Sequence, residues 1–215
     1  MAQKAARKSA ARPEPKKLGR PRAYDPEAAL AQAIETFWTT GYAATSLSDL
    51  SDATDMNRPS LYAAFGDKHA LYLKALDRYW QLGHAAMHEA LSRDRPLGEG
   101  LMQVYRKALN MYFSGKGRPR GCFAIGTATT ESVEDPEIRA ALAQGLRALD
   151  KAFEARIRAA RDSGELHSPH DPAALAMLAS ATLHTIAIRA RAGTGRAELE
   201  AIARGAVAII CGGRL

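Results

Sequence analysis

The residues best suited to molecular recognition form one short polar cluster in the first third of the chain. An arginine such as Arg58 can donate two hydrogen bonds to O6 and N7 of a guanine, and the Pro59 ring can touch a thymine methyl group. Leu61 and Phe65 recur at helical spacing, so the polar residues would share the opposite face of a short helix. We therefore expect a helix that reads bases in a DNA major groove. Its recognition residues are Asn57, Arg58, Pro59, Ser60 and Tyr62.

Other residues near this cluster suit the DNA backbone instead of the bases. Thr45 and Ser46 lie just before an apolar stripe, where the free amides at the start of a helix favour a phosphate. Tyr62 and Lys68 offer groups that would position the protein on a duplex without specifying its sequence. The alternative is that Arg58 and Lys68 are solvated charges and that Tyr62 lies at the edge of the core. The residues around them make DNA contact the favoured interpretation.

The formal net charge of +7 is carried entirely by residues 1 to 24, which hold eight basic side chains and one acid. Such a segment cannot bury enough apolar surface to order itself in isolation. Arg20 and Arg22 lie in a Gly-Arg-Pro-Arg motif directly before the first expected helix, and arginines are drawn to the negative potential of a narrow minor groove. We expect a DNA-binding arm; a mere solubilising extension is the alternative.

Three acid-proline pairs, at Asp25, Asp135 and Asp171, mark helix starts, because the acid caps free amides and the proline presets the first turn. Aromatic residues reach only 7% of a chain rich in alanine and leucine, so an all-α fold is expected. The apolar periodicity predicts about nine helices. They lie at roughly 26–40, two short ones capped by Thr45-Ser46 and by Asn57, then roughly 67–91, 97–114, 120–131, 136–163, 172–191 and 195–211.

Segments 42–50 and 56–68 resemble the N-terminal signature of the TetR family of transcriptional regulators. The motifs Gly-Tyr, Thr-Ser, Leu-Tyr-x-x-Phe and Lys-x-x-Leu stand at the family's spacing. The resemblance covers residues 24–73 and implies a three-helix helix-turn-helix DNA-binding domain, followed by a larger helical bundle that binds a ligand and dimerises. On this basis we expect a basic arm over 1–22, a DNA-binding domain over 23–69 and a sensing domain over 70–215.

Two positions depart from the family pattern. Asp55 stands in the turn where the family commonly has glycine, although aspartate tolerates the left-handed backbone required there better than most residues. Ala63 and Ala64 stand where relatives often carry a side chain that reaches DNA. Base recognition must therefore depend on the neighbouring residues.

The resemblance further implies a repressor that leaves a pseudo-palindromic operator when a small molecule binds. The second half of the chain carries more apolar and aromatic residues than a small core needs, and a cavity lined by them would accept an apolar or aromatic effector. The candidate lining residues are Trp80, His84, Met87, Met102, Tyr105, Tyr112, Cys122, Phe123, Phe153 and Met177.

Cys122 and two histidines allow other kinds of sensing. Cys122 lies near Arg118 and Arg120, which could lower its thiol pKa and make it a redox sensor, but a small buried apolar residue is the favoured interpretation. His84 and His88 have the spacing of two metal ligands on one helix face, yet no third ligand is evident. We therefore predict no metal and no cofactor.

The last two expected helices each carry an apolar stripe that predicts a dimer interface of four helices. The alternative is packing within one subunit. The stripe residues are Leu175, Leu178, Thr182, Ile186, Ile202, Ala206 and Ile209.

Several classes of protein are disfavoured by the sequence. It has no nucleophile elbow, phosphate-binding loop, zinc-protease motif or dinucleotide fingerprint, so an enzyme is not expected. The basic tail lacks the apolar core of a signal peptide, and the apolar stretch 173–188 is shorter than a bilayer span and interrupted by polar residues. A cytoplasmic location follows as an expectation. An architectural DNA binder without a sensor would leave the long second half unexplained.

Overall fold

The computed structural model describes residues 24–115 and 117–213, and these residues contain nine α-helices and no β-strand. The fold is therefore all-α, as the composition predicts. The helices are α1 Pro26–Thr40, α2 Leu47–Thr54, α3 Arg58–Phe65, α4 Lys68–Ala90, α5 Leu97–Tyr112, α6 Phe123–Glu131, α7 Pro136–Asp162, α8 Pro172–Arg191 and α9 Arg196–Ile210.

Helices α1, α7 and α8 begin at the acid-proline caps that the sequence predicts. The carboxylate of Asp25 accepts a hydrogen bond from the Glu27 amide at 3.0 Å, and Asp135 and Asp171 cap α7 and α8 in the same way. Helix α6 begins later than residue 120, where the sequence predicted it, because Gly121 adopts a left-handed conformation with φ of 67°.

Asp55 ends α2 with φ of 52° and ψ of 32°, and it is the one residue other than glycine with positive φ in the described part of the chain. The expectation of a left-handed turn at this position is confirmed. The turn directs the chain from α2 into α3, which begins at Arg58 under the cap of Asn57.

Helix α4 joins the N-terminal helices to the rest of the molecule. It packs against both α1 and α7, while α5 packs on α8 and α9. Gly145 of α7 allows a close approach, since a Cβ there would lie 2.1 Å from Cε2 of Trp80 on α4. The buried apolar residues of both halves form one continuous core.

Helix α8 is apolar enough, and long enough at 20 residues, to cross a membrane by length and composition alone. The helix extends beyond the apolar stretch 173–188 to the bounds 172–191 that the sequence predicts. About 44% of its most apolar window is buried inside the protein, where α8 packs on α7 and α9. A core helix of a soluble bundle has the same properties.

Candidate DNA interface and effector cavity

The outer face of α3 is open to solvent. Arg58, Pro59 and Tyr62 are exposed, Tyr62 by 48%, while Leu61 and Phe65 on the opposite face are buried. Leu61 and Phe65 thus hold the helix and leave its polar face free. Two hydrogen bonds fix the start of this helix: Oδ1 of Asn57 accepts from the Ser60 amide at 2.9 Å, and the Arg58 guanidinium donates to the Ser48 hydroxyl of α2.

The two residues expected to bind a phosphate before α2 are already engaged with the protein. Thr45 is 1% exposed and its hydroxyl donates to the Gly41 carbonyl at 2.6 Å, so the prediction that it contacts DNA is wrong for its side chain. Ser46 is exposed and forms a capping box with Asp49, whose carboxylate accepts from the Ser46 amide at 2.8 Å. That hydrogen bond lowers the pKa of Asp49. The Ser46 hydroxyl oxygen accepts from the Asp49 amide at 3.1 Å, which leaves its own proton available to a further acceptor.

Lys68 was expected to contact the DNA backbone, but in the structure its ammonium group donates hydrogen bonds to the protein's own backbone. It donates to the carbonyl oxygens of Tyr42 and Thr45, both at 2.9 Å, and lies 4.5 Å from the centre of the Tyr42 ring. These contacts link the start of α4 to the loop between α1 and α2. Arg20 and Arg22 lie outside the described residues.

A cavity of about 510 Å³ opens among α1, α4, α5, α7 and α8, next to the DNA-binding helices. Five of the residues predicted to line an effector site do so: Trp80, His84, Met87, Tyr112 and Cys122. Helix α1 also contributes to the lining, although this was not predicted from the sequence, and it supplies Ala31, Ile34, Glu35 and Trp38. Leu149 of α7 and His184 of α8 were likewise not predicted. The other lining residues are Tyr79, Leu82, Gly83, Ala86, Val104, Lys107, Ala108, Met111 and Leu183.

The other five predicted lining residues lie elsewhere. Phe123 is fully buried behind the cavity, where its ring packs against Trp38, Tyr72 and Tyr79 at centroid distances of 5.8, 5.9 and 5.4 Å. The remaining four are buried in the core or project outward: Met102 and Phe153 are core residues, Tyr105 is buried with its hydroxyl donating to the Ala179 carbonyl, and Met177 is 58% exposed on α8.

Cys122 is buried at the cavity wall, and its sulfur accepts a hydrogen bond from the Tyr79 hydroxyl at 3.1 Å. Burial raises the pKa of its thiol, which favours the protonated form. Arg120 does not counteract this, because its guanidinium pairs with Glu35 and lies 4.3 Å from the centre of the Trp38 ring. The geometry agrees with the favoured interpretation of Cys122 as a small buried residue.

The histidines do not assemble a metal site within the described residues. His84 stacks on Trp80 at a centroid distance of 5.8 Å, whereas His88 is exposed, and no group of three potential ligands surrounds them in this part of the chain. His184 faces the same cavity from α8, and burial lowers its pKa, so that its neutral form is favoured.

The predicted dimer stripes are divided between the core and the surface. Four of their members are buried within the subunit and cannot reach a partner: Leu175, Thr182, Ile186 and Ala206. Leu178 and Ile202 are half-buried, and Ile209 is 51% exposed. The outward face of α8 instead carries Met177 and Ile188, which are 58% and 57% exposed. The alternative of packing within one subunit holds for the buried four.

Comparison with known proteins places this architecture in a family. Residues 29–75 match the model of bacterial regulatory proteins of the tetR family, and residues 99–206 match that of the tetracyclin repressor-like C-terminal domain. The HTH-type transcriptional repressor ComR of Escherichia coli K12 is 34% identical over 189 residues, which cover 87% of this chain and 90% of that repressor.

Solved structures agree with this assignment. The regulator CifR, solved as a cysteine mutant with a 26 bp double-strand operator DNA, has 31% identity and a TM-score of 0.80, with 88% of this chain and 98% of that chain covered. The reduced form of Escherichia coli NemR shares the fold at 20% identity and a TM-score of 0.74, over 87% of this chain and 95% of that chain. The chain belongs to the TetR family of bacterial transcriptional regulators.

Proposed function

We propose that this chain is a repressor that binds a pseudo-palindromic operator through α3 and leaves it when a small apolar or aromatic molecule enters the cavity. The observation that carries the proposal is the 510 Å³ cavity, which is lined by α4, which packs on α3, and by α1, which packs on α2. Its volume is within the range of ordinary ligand sites, about 300–1,000 Å³. The operator complex of the relative CifR supports the DNA-binding half of the proposal.

The operator contacts divide by the chemistry of their groups. Arg58 and Pro59 would meet base edges, together with Asn57 and Ser60 at the start of the helix. Tyr62 and Lys68 would contact the DNA backbone. Ser46 retains an exposed hydroxyl that could donate to a phosphate. The arm over 1–22, with Arg20 and Arg22, would add minor-groove contacts, and the domain limits 23–69 and 70–215 stay part of the proposal.

We further propose a homodimer that forms through the outer faces of α8 and α9. One short recognition helix buries too little surface for tight specific binding, and a two-fold dimer doubles it. Met177 and Ile188 on α8 and Ile209 on α9 give a monomer large exposed apolar side chains on neighbouring helices. Such residues are stabilised when a symmetry mate covers them.

Three further expectations belong to the same proposal. The relatives are transcriptional regulators, and we propose that this chain likewise performs no catalysis and needs no cofactor or metal. We also propose that it acts in the cytoplasm, where DNA is accessible. Redox control through Cys122 is the less favoured mode of release, because its thiol is buried and protonated.

Light scattering and operator binding test this proposal together. Operator sequences are selected from a random duplex library, and we expect a dimer that binds them at nanomolar concentration. The double variant Met177→Glu/Ile188→Glu should be monomeric and bind more weakly. Val133→Glu is the matched control, since Val133 is 66% exposed in the turn after α6 and its substitution should leave the dimer intact. A wild-type monomer that binds specific DNA at nanomolar concentration would contradict the dimer.

A further inference from the structure

The cavity is shared between the DNA-binding helices and the sensing bundle. Ile34, Glu35 and Trp38 of α1 form one wall, and α4, α5, α7 and α8 form the rest. Helix α1 also packs directly against α2, which carries the Ser48 partner of Arg58. A molecule in this cavity would therefore touch the DNA-binding domain itself.

The one carboxylate and the one ammonium group among the described lining residues are already paired. Glu35 pairs with Arg120, and Lys107 pairs with Glu89 at 2.6 Å. The neutral form of His184 is favoured by burial. Among the described lining residues the carboxylate of Glu35 and the ammonium group of Lys107 already have partners, and an unpaired charge in an apolar site is costly, so an uncharged ligand fits best. Four aromatic side chains of the wall, those of Trp38, Tyr79, Trp80 and Tyr112, favour a ring system.

Arg120 connects the α1 wall to α8. Its guanidinium lies on the Trp38 ring and pairs with Glu35, both of which line the cavity. Its carbonyl oxygen accepts a hydrogen bond from Arg191 of α8 at 3.4 Å. The next residue, Gly121, is pressed on α8 so closely that a Cβ there would lie 2.4 Å from the carbonyl oxygen of Ala187. The loop before α6 thus holds α1 at a fixed distance from the helix of the proposed dimer interface.

We propose that the cavity takes an uncharged aromatic molecule that contacts α1 directly, and that Arg120 is the positioning residue that links its binding to the placement of the DNA-binding helices. This inference rests on the proposed function. A ligand that inserts beside Trp38 and Glu35 disturbs the contacts that Arg120 makes with them, and α1 then shifts relative to α8. In the proposed dimer, the interface of α8 and α9 sets the distance between the α3 helices of the two subunits. A shift of α1 relative to α8 changes that distance. Ligand and DNA therefore weaken each other's binding by the same factor.

Two dyes with the same ring skeleton test the ligand class. N-phenyl-1-naphthylamine is uncharged, and 1-anilinonaphthalene-8-sulfonate adds one negative charge. We expect the uncharged dye to bind at least about ten times more tightly, since a charge buried without a partner opposes binding. Because the chain has only two tryptophans, Trp80→Phe leaves Trp38 as the sole indole, and the bound dye should quench its emission. Equal affinities of the two dyes, or unquenched emission of Trp38, would overturn the assignment of an uncharged ligand that contacts α1. This test does not depend on DNA binding.

The role of Arg120 is tested by measuring dye affinity with and without saturating operator. In the wild type we expect operator to weaken dye binding at least about five-fold, the low end of ordinary coupling between sites. Arg120→Ala should still bind the dye and the operator, but operator should barely change its dye affinity. Glu35→Gln should show a smaller effect of operator on dye affinity than the wild type. Arg158→Ala is the matched control, because it breaks the exposed pair with Glu154 on α7, away from the cavity. Wild-type coupling in Arg120→Ala would refute its role, whereas a wild type without operator binding would refute the proposed function instead.

Discussion

Arg58 stands at the exposed start of α3, where its guanidinium donates to the Ser48 hydroxyl. We expect Arg58→Ala to lose about 1–3 kcal/mol of discrimination at one base pair, because a bidentate contact to guanine is worth that much. The neighbours Ala63 and Ala64 have no polar group that could replace it. Competition binding against single-base operator variants measures the effect. Ser48→Ala removes the partner alone and should keep the discrimination; undiminished selectivity in Arg58→Ala would contradict the assignment.

Lys68 links the start of α4 to the loop between α1 and α2, and its predicted phosphate contact stays a prediction. Its sequence context suggested a phosphate contact, but its two hydrogen bonds to Tyr42 and Thr45 show a structural link. We expect Lys68→Ala to lower the free energy of unfolding by about 1–2 kcal/mol, because hydrogen bonds to a charged group are lost at a partly buried site. Urea denaturation measures this. Lys74→Ala on the exposed face of α4 is the control, and equal stability of the two variants would show that the link contributes nothing.

Helix starts could be predicted because the signals for them are local. An acid, a proline and the next apolar residue lie within a few positions, and the cap of Asp135 on α7 depends on nothing more distant. The cavity could not be predicted in this way, because its walls come from five helices that are far apart in the sequence. Trp38 of α1 was therefore not predicted to line the cavity, whereas Phe153, a core residue, was.

The faces of α8 were misassigned for a different reason. A helix that is apolar on nearly every side gives no clear stripe, so the sequence could not tell its buried face from its outer one. Leu175 and Ile186 point inward and Ile188 points outward, although all three are equally apolar. The face of α8 that is buried is the one that packs against α7 and α9. That packing depends on how the whole bundle assembles, which the local sequence does not encode.

The turn between α2 and α3 allows a test of how much its left-handed residue affects the stability of the protein. Asp55 adopts a left-handed conformation, which costs an ordinary residue about 1–2 kcal/mol and glycine almost nothing. We expect Asp55→Gly to stabilise the protein by about 0.5 kcal/mol and Asp55→Ala to destabilise it by about 1 kcal/mol. Thermal unfolding of both variants measures the difference. If alanine is as stable as glycine, the left-handed conformation does not limit this turn.

The charge of the whole molecule is unevenly distributed, since the residues after the first 24 contain equal numbers of basic and acidic side chains. A balanced body gains little from attraction to DNA at long range, so the arm should supply most of the salt dependence of binding. The arm should contribute little to folding, because its composition offers almost no apolar surface to bury. Removal of residues 1 to 22 should therefore separate the two properties.

We expect the truncated protein to bind operator more weakly and with a flatter salt dependence, while its melting temperature barely changes. Each phosphate contact that is lost should reduce the slope of log affinity against log salt by roughly 0.9. Titrations at several salt concentrations measure the slope. Arg20→Gln/Arg22→Gln should cause much of the loss, and the matched pair Lys4→Gln/Arg7→Gln, farther from α1, should cause less. An unchanged slope after truncation would show that the arm does not touch DNA.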